Sequence, residues 1–182
     1  MPRLAFTTFG ILREPETHPD SQGFVDRTPD TYDAAEHSDG FIDRSRRDSV
    51  TNRHSWGDGV CPQFAEGLSE DRIAQTVSLW KDLESVFAFV YVSRSHGQAL
   101  KLRKDWFIDA EYPGYAAWWV ADDDIPTFAE ATTRLEALHR NGSSPFAFNF
   151  KQPFSPAGIP IKVEQARVGE KAELNRQLHG DN

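Results

Sequence analysis

Only one cysteine, Cys61, occurs among the 182 residues, and a lone thiol closes no internal disulfide. It lies in a polar, loop-like stretch with no histidine placed as a nucleophile motif would place it. That argues against an activated thiol. No apolar run approaches the roughly 20 residues that span a bilayer, so no membrane partner is expected. Positive charge is also scarce, with a net charge of −8. Nucleic acids and anionic membranes both need a positive surface, so neither is an expected partner. The short basic run after Val92 does not change this. There is no glycine-rich phosphate loop and no G-x-G-x-x-G after a strand. Residues Gly57 to Gly59 read only as a turn. The histidines His18, His37, His54, His96, His139 and His179 are scattered without ligand spacing, so no metal site is expected. No cofactor is required, although a single histidine, His96 or His54, leaves haem open. The opening MPRLAFTTFG lacks the build of a signal peptide, and the expected location is cytoplasmic.

Aromatic residues, by contrast, are plentiful: 13 Phe, 5 Trp and 4 Tyr in a chain that is 38% hydrophobic. That content supports one sizeable core, and the length suits one domain rather than two. Most of these rings are expected in the core, with some left to line a pocket.

RLAFTTFGIL, residues 3 to 12, reads as a strand apolar on both faces. REPETHPDSQ is a loop marked by two prolines. A helix follows from about Ser21 to His37, with Phe24, Tyr32 and Ala35 as its buried face. Pro29 inside it predicts a kink or a late start. After Asp39-Gly40, GFIDRSRR reads as a second strand. Residues 47–70 show no sustained period and read as a long loop, with Trp56 and Phe64 as anchors. A loop of that length is a functional flap or is disordered. RIAQTVSLW is a third strand, and a helix starts near Asp82 with Leu83, Val86, Phe87, Val90 and Tyr91 at helical spacing. A further turn carries His96, Leu100 and Arg103 on one side. YAAWWVA is a fourth strand whose Trp118 and Trp119 point to opposite faces. Pro126 and Thr127 open a helix to about Asn141, with Ala131, Leu135 and Leu138 as its stripe and Asn141-Gly142 as its stop. FAFNF reads as a last short strand. The rest is Pro-rich and then charged, a loose tail or a marginal surface helix.

The order β-α-β-β-α-β-α-β begins with the split βαβ pattern of ferredoxin-like folds. The fold class is α+β: a ferredoxin-like βαββαβ with an added αβ unit over residues 1–156, then a polar tail over 157–182. Helices cover one face of such a sheet. The other face is apolar too, and packing it against a second copy predicts a homodimer.

The motifs SLWKDLESVFAFVYVSRSHGQALKLRKDWF, AAWWV, IPTFAEATTRLEALHRNG and SPFAFNFKQPFSP, taken in order, resemble an uncharacterised bacterial domain-of-unknown-function family. That family is grouped with the dimeric α/β-barrel, antibiotic-biosynthesis-monooxygenase-like superfamily. The resemblance spans roughly residues 3 to 156 and is strongest from Ser78 to Pro156. It implies a ferredoxin-like protomer and a dimeric α/β barrel formed through packed sheets. It brings no agreed reaction, because the wider superfamily holds cofactor-free oxygenases, haem enzymes, isomerases and ligand-binding domains. The chain departs from the family pattern at Asp43, where an aromatic is usual, and at Asp123-Asp124, where Gly-His is frequent. Its 47–70 stretch is also longer than usual.

Among candidate catalytic residues, His96 suits acid/base work because imidazole titrates near neutrality. Arg103 lies two helical turns on, on the same face, where a guanidinium would hold an anionic oxygen. The alternative is that His96 caps or bonds within the core and Arg103 pairs with a carboxylate. Asp43 becomes a base only if it points inward among apolar rings, which would raise its pKa. Otherwise it is an edge-strand charge in water. Tyr91, Trp80, Trp106, Trp118 and Trp119 are candidate walls for a flat substrate. The expected function is a cofactor-independent enzyme acting on an apolar, aromatic or polyketide-like small molecule, as an isomerase, cyclase, dehydratase or monooxygenase, in secondary metabolism. Its pocket would lie between sheet and helices, roofed by the 47–70 loop. The alternatives are a non-catalytic ligand-binding dimer and a haem-binding protein.

Overall fold

In a computed structural model the chain is described over residues 1–92, 104–109 and 111–179. Four strands form one antiparallel sheet: β1 (Arg3–Ile11), β2 (Phe41–Arg44), β3 (Ile73–Trp80) and β4 (Tyr115–Val120), in the order β2-β3-β1-β4. Between them run α1 (Gln22–Glu36) and α2 (Leu83–Val92), followed after β4 by α3 (Phe128–Asn141) and α4 (Gln165–His179). The architecture is mixed α+β.

Register assigns each side chain to a face. Leu4 opposes Trp80, Phe6 opposes Ser78 and Thr8 opposes Thr76, while Ala5 opposes Leu79 and Thr7 opposes Val77. The first set shares one face and the second set the other, because side chains alternate along a strand. Leu4, Phe6, Trp80 and Ala117 pack with Ala34 and Ala35 of α1 and with Leu83, Val86, Phe89 and Val90 of α2. This is the helix face. Helix α2 starts where Asp82 accepts hydrogen bonds from the Ser85 backbone N–H at 2.9 Å and from its hydroxyl at 2.7 Å, an N-terminal cap.

The second face is closed by the chain itself. Ala5, Val77, Leu79 and Trp118 are at most 1% exposed and pack with Trp56, Phe128 and Ala131. Phe9, Ile11 and Ala116 pack with Ala65, Leu135 and Leu138. The 47–70 segment and α3 therefore occupy the surface that the sequence assigned to a second copy. The ground for a sheet-packed homodimer is thereby removed. The segment is no structureless loop either. Arg47 and His54 form a β-bridge, and the Asp48 carboxylate accepts hydrogen bonds from Val50 N, Thr51 N and Thr51 Oγ1. Val60 O and Gln63 N then bond to Thr132 and Glu136 of α3.

Three further expectations change. Helix α1 runs through exposed Pro29 without a break. The missing N–H leaves the Val25 carbonyl without its helical donor, and the Thr28 and Thr31 hydroxyls donate to the Phe24 and Arg27 carbonyls on either side. FAFNF is not a strand. Only Phe148 bridges Ala117, because the Asn149 side chain accepts from Lys151 N and Gln152 N and turns the chain away. The tail takes the helical of its two expected forms, but it is docked rather than marginal. Ile161 and Val163 pack on the helix-face core, and Val168, Ala172 and Asn175 of α4 are buried.

Candidate functional site

The helix face is not filled uniformly. At the Thr8–Thr76 end of β1 and β3, neither α1 nor α2 covers the sheet completely, and these residues stay half-buried. An open, shallow hollow results, with a cavity volume of about 80 Å³. Phe6, Thr8, Thr76, Ser78 and Trp80 form its floor, Thr31, Tyr32 and Ala35 of α1 its roof, and Phe41, Arg44 and Ser45 its β2 side, with Phe89 of α2 at one end.

Each wall is fixed by a local cause. Trp80 is 1% exposed and lies between Phe89, at a centroid distance of 5.3 Å, and Phe41, at 5.2 Å. Its indole N–H donates to Ser78 Oγ at 2.9 Å, and Ser78 Oγ donates to Phe6 O at 3.2 Å. Ser78 is thereby occupied by the protein. Thr8 and Thr76, cross-strand neighbours, share one hydroxyl hydrogen bond of 2.7 Å. One proton serves that bond, so the pair keeps a second O–H to offer. Arg44 opposes Ser78 on the same face, which makes Thr76 its diagonal neighbour. Its guanidinium lies over the Tyr32 ring at 3.8 Å, a cation–π contact. Burial pushes the Tyr32 hydroxyl above its ordinary pKa, against the opposing pull of Arg44 and Arg47. The phenol stays protonated and can donate.

Carboxylates hold the arginines at the mouth. Arg44 Nε donates to Glu36 at 2.7 Å and Nη1 to Ser45 O at 3.2 Å. Arg46 pairs with Asp43 at 2.6 Å and with Glu36 at 3.6 Å, and Arg47 pairs with Glu16 at 3.1 Å. Arg44 Nη2 has no partner among the described residues.

The residues singled out from sequence fall in different places. His96 and Arg103 lie outside the described residues. Asp43 is a correction. Its side chain is 44% exposed and bound to Arg46, so the inward carboxylate that would act as a base is absent. Trp80 lines the hollow. Trp118 is buried on the second face, and Trp119 donates its N–H to Phe154 O at 2.6 Å. Tyr91 is 48% exposed and packs on Phe87 and Phe150. Trp106 packs on Phe24 beneath Arg27. These four do not reach the hollow. The 47–70 segment does not roof it, because that segment closes the opposite face.

Sequence reasoning placed Tyr32 on a buried helix face and Arg44 on β2, but did not join them to Thr8 and Thr76. The signal was there in part: an arginine cluster in an acidic chain, at the end of a strand. What joins them is the pairing of β2 with β3, which no local pattern states.

His54 lies apart from the hollow. Its ring packs on Phe128 at 4.3 Å, and buried Nδ1 has no partner among the described residues. Burial, then the Arg47 charge, hold its pKa below the usual histidine value, with Asp58 opposing. The Cys61 thiol donates to Ala65 O at 3.3 Å and is pushed up by burial, then by Glu66 and Glu70. Among the described residues, no three His, Cys, Asp or Glu side chains gather as a metal would need. No helix among them is long and apolar enough to cross a membrane.

Comparison with curated proteins gives no match, and comparison with solved structures gives none. One family does match, over residues 3–164, which takes in every element but α4. The chain belongs to the family described as domain of unknown function (DUF3291).

Proposed function

We propose that this is a small-ligand-binding protein of ferredoxin-like fold, and that the hollow between the helix face, α1 and β2 is its binding site. The strand order β2-β3-β1-β4 with βαββαβ connections supports the ferredoxin-like part. It also supports kinship with the antibiotic-biosynthesis-monooxygenase-like superfamily. The sheet-to-sheet partner of that superfamily is not part of this reading, because the chain fills that face itself. One observation carries the reading. Aromatic walls converge with unspent donors, namely the Thr8–Thr76 hydroxyls, the Tyr32 phenol and Arg44 Nη2, in one open concavity. A few placed polar groups in an apolar hollow are what small-molecule sites share.

A screen of aromatic fragments by amide NMR tests it. Binders should shift Thr31, Tyr32, Arg44, Thr76 and Phe89, and Ala35→Leu, which fills the roof, should abolish the shifts. Shifts confined to other surfaces would sink the proposal.

A catalytic version rests on His96 and Arg103, which lie outside the described residues. Proton-transfer chemistry on a bound apolar molecule, with His96 as acid/base and Arg103 holding an anionic oxygen, then loses about a hundredfold in turnover on His96→Ala. Binding should change little. A smaller loss would move the chemistry elsewhere. For haem, titration with haemin provides the check, and an unshifted Soret band rules it out.

A further inference from the structure

We infer that the ligand of this hollow is an apolar acid: a flat, mainly aromatic body with one carboxylate, whose oxygens are held by Arg44 and the Thr8–Thr76 hydroxyls. The inference rests on the ligand-binding reading above and adds the chemical class.

The argument is a count of what the walls offer. The indole N–H of Trp80 and the hydroxyl of Ser78 are consumed within the protein. Among the described residues, what remains unspent at the surface of the hollow is donors. Arg44 has spent Nε on Glu36 and Nη1 on Ser45 O, which leaves Nη2. The Thr8–Thr76 pair has one O–H left over. Tyr32, kept protonated, adds a phenol. A donor set needs acceptors, and two of these donors are diagonal neighbours on one sheet face. A guanidinium and a hydroxyl presented on one face can each take one oxygen of a carboxylate. The Arg44 side chain is 16% exposed, with its guanidinium over the Tyr32 ring. In so sheltered a place, a charge-assisted bond is screened little. The opposite end of the hollow offers only rings, Phe6, Phe41, Trp80 and Phe89, which would face the apolar body of the ligand.

The local charges point the same way. The mouth holds Arg44, Arg46 and Arg47 against Glu16, Glu36 and Asp43, so it is balanced in a chain of net charge −8. Glu36 serves two arginines, through Arg44 Nε and Arg46. It is the internal carboxylate that an incoming acid would compete with. This gives two substitutions opposite effects. Arg44→Gln removes the anion holder. Glu36→Gln removes the competing negative charge, while its amide oxygen still accepts from Arg44 Nε.

The test is calorimetric titration of the whole chain with trans-cinnamate and with its neutral counterpart, cinnamyl alcohol. The wild-type protein should bind the acid about tenfold or more tightly than the alcohol. Arg44→Gln should remove that preference, read as the ratio of acid to alcohol affinity, whereas Glu36→Gln should tighten the acid several-fold. Thermal unfolding of each variant checks that it is folded, and Arg44→Lys, which keeps the charge, should retain part of the preference. Equal binding of acid and alcohol, unmoved by either substitution, overturns the carboxylate assignment and leaves the hollow as a binding site. Binding of neither probe overturns both readings.

Discussion

Tyr32 is the residue on which the site turns, because it uses both its ring and its hydroxyl. The ring carries the Arg44 guanidinium. The hydroxyl, raised in pKa first by burial, remains a donor through the neutral range. Tyr32→Phe removes the donor and keeps the ring, so it should weaken an oxygen-bearing ligand by about tenfold at most. Tyr32→Ala also frees the Arg44 side chain and should cost more; amide shifts at Arg44 separate the two cases. Cys61 allows an independent check on local electrostatics. Its pKa is raised by burial and by Glu66 and Glu70, so the thiolate is scarce at neutral pH. Alkylation by iodoacetamide at pH 8 should run slower than that of a free cysteine, and its rate should keep rising to higher pH than the free thiol's does. A faster reaction at neutral pH would show an activated thiol and reopen Cys61 as a nucleophile.

Among the elements, α4 is the one the sequence concealed. Its buried positions, Val168, Ala172 and Asn175, have helical spacing, but one is small and one is polar, so no apolar stripe shows. What docks it is charge and capping. Lys171 pairs with Asp39 at 2.6 Å and with Asp82 at 3.4 Å, and Arg167 pairs with Asp82 at 3.2 Å and Glu84 at 3.5 Å. Buried Glu84 also accepts from Glu164 N at 3.2 Å, just before α4 begins. Burial alone would raise the Asp82 carboxyl, but the Ser85 hydrogen bonds and Lys171 together hold it below the ordinary value. A depressed carboxyl stabilises the fold above its unfolded pKa and loses that contribution as pH falls through the folded value. Undocking of α4 should therefore begin only below about pH 4. Asp82→Ala, which removes a cap and two cation partners, should lower stability by about 1–3 kcal/mol at pH 7 in urea. Hydrogen exchange along α4 would show whether the loss is local. The elements that the sequence did display are those with a strong period. β1, β3, β4 and the Ala131–Leu135–Leu138 stripe of α3 lie where alternation and helical spacing place them. FAFNF displayed the same aromatic density and failed, because Asn149 takes two backbone N–H groups into a turn.

At the scale of the whole molecule, the decisive event is the closing of the second sheet face by the chain's own 47–70 segment and α3. Periodicity could not announce it, because Trp56 and Ala65 are isolated anchors in a polar stretch, each placed by tertiary packing alone. Trp56 is 7% exposed, and its carbonyl accepts from Phe128 N at 3.2 Å, so one residue fastens the segment both to the sheet and to the start of α3. It covers Val77, Leu79 and Trp118, which would otherwise form an apolar patch of the kind that drives association. Trp56→Ala should cost about 3–5 kcal/mol of stability in urea unfolding. It should also lead the remaining folded protein to self-associate on size-exclusion chromatography at concentrations where the wild-type elution does not move. Arg53→Ala breaks the exposed ion pair with Asp58 in the same segment and should do neither, since surface pairs contribute little. Should Trp56→Ala leave both stability and elution unchanged, the segment is not what seals the sheet. A second copy of the chain would then again be the candidate for that face.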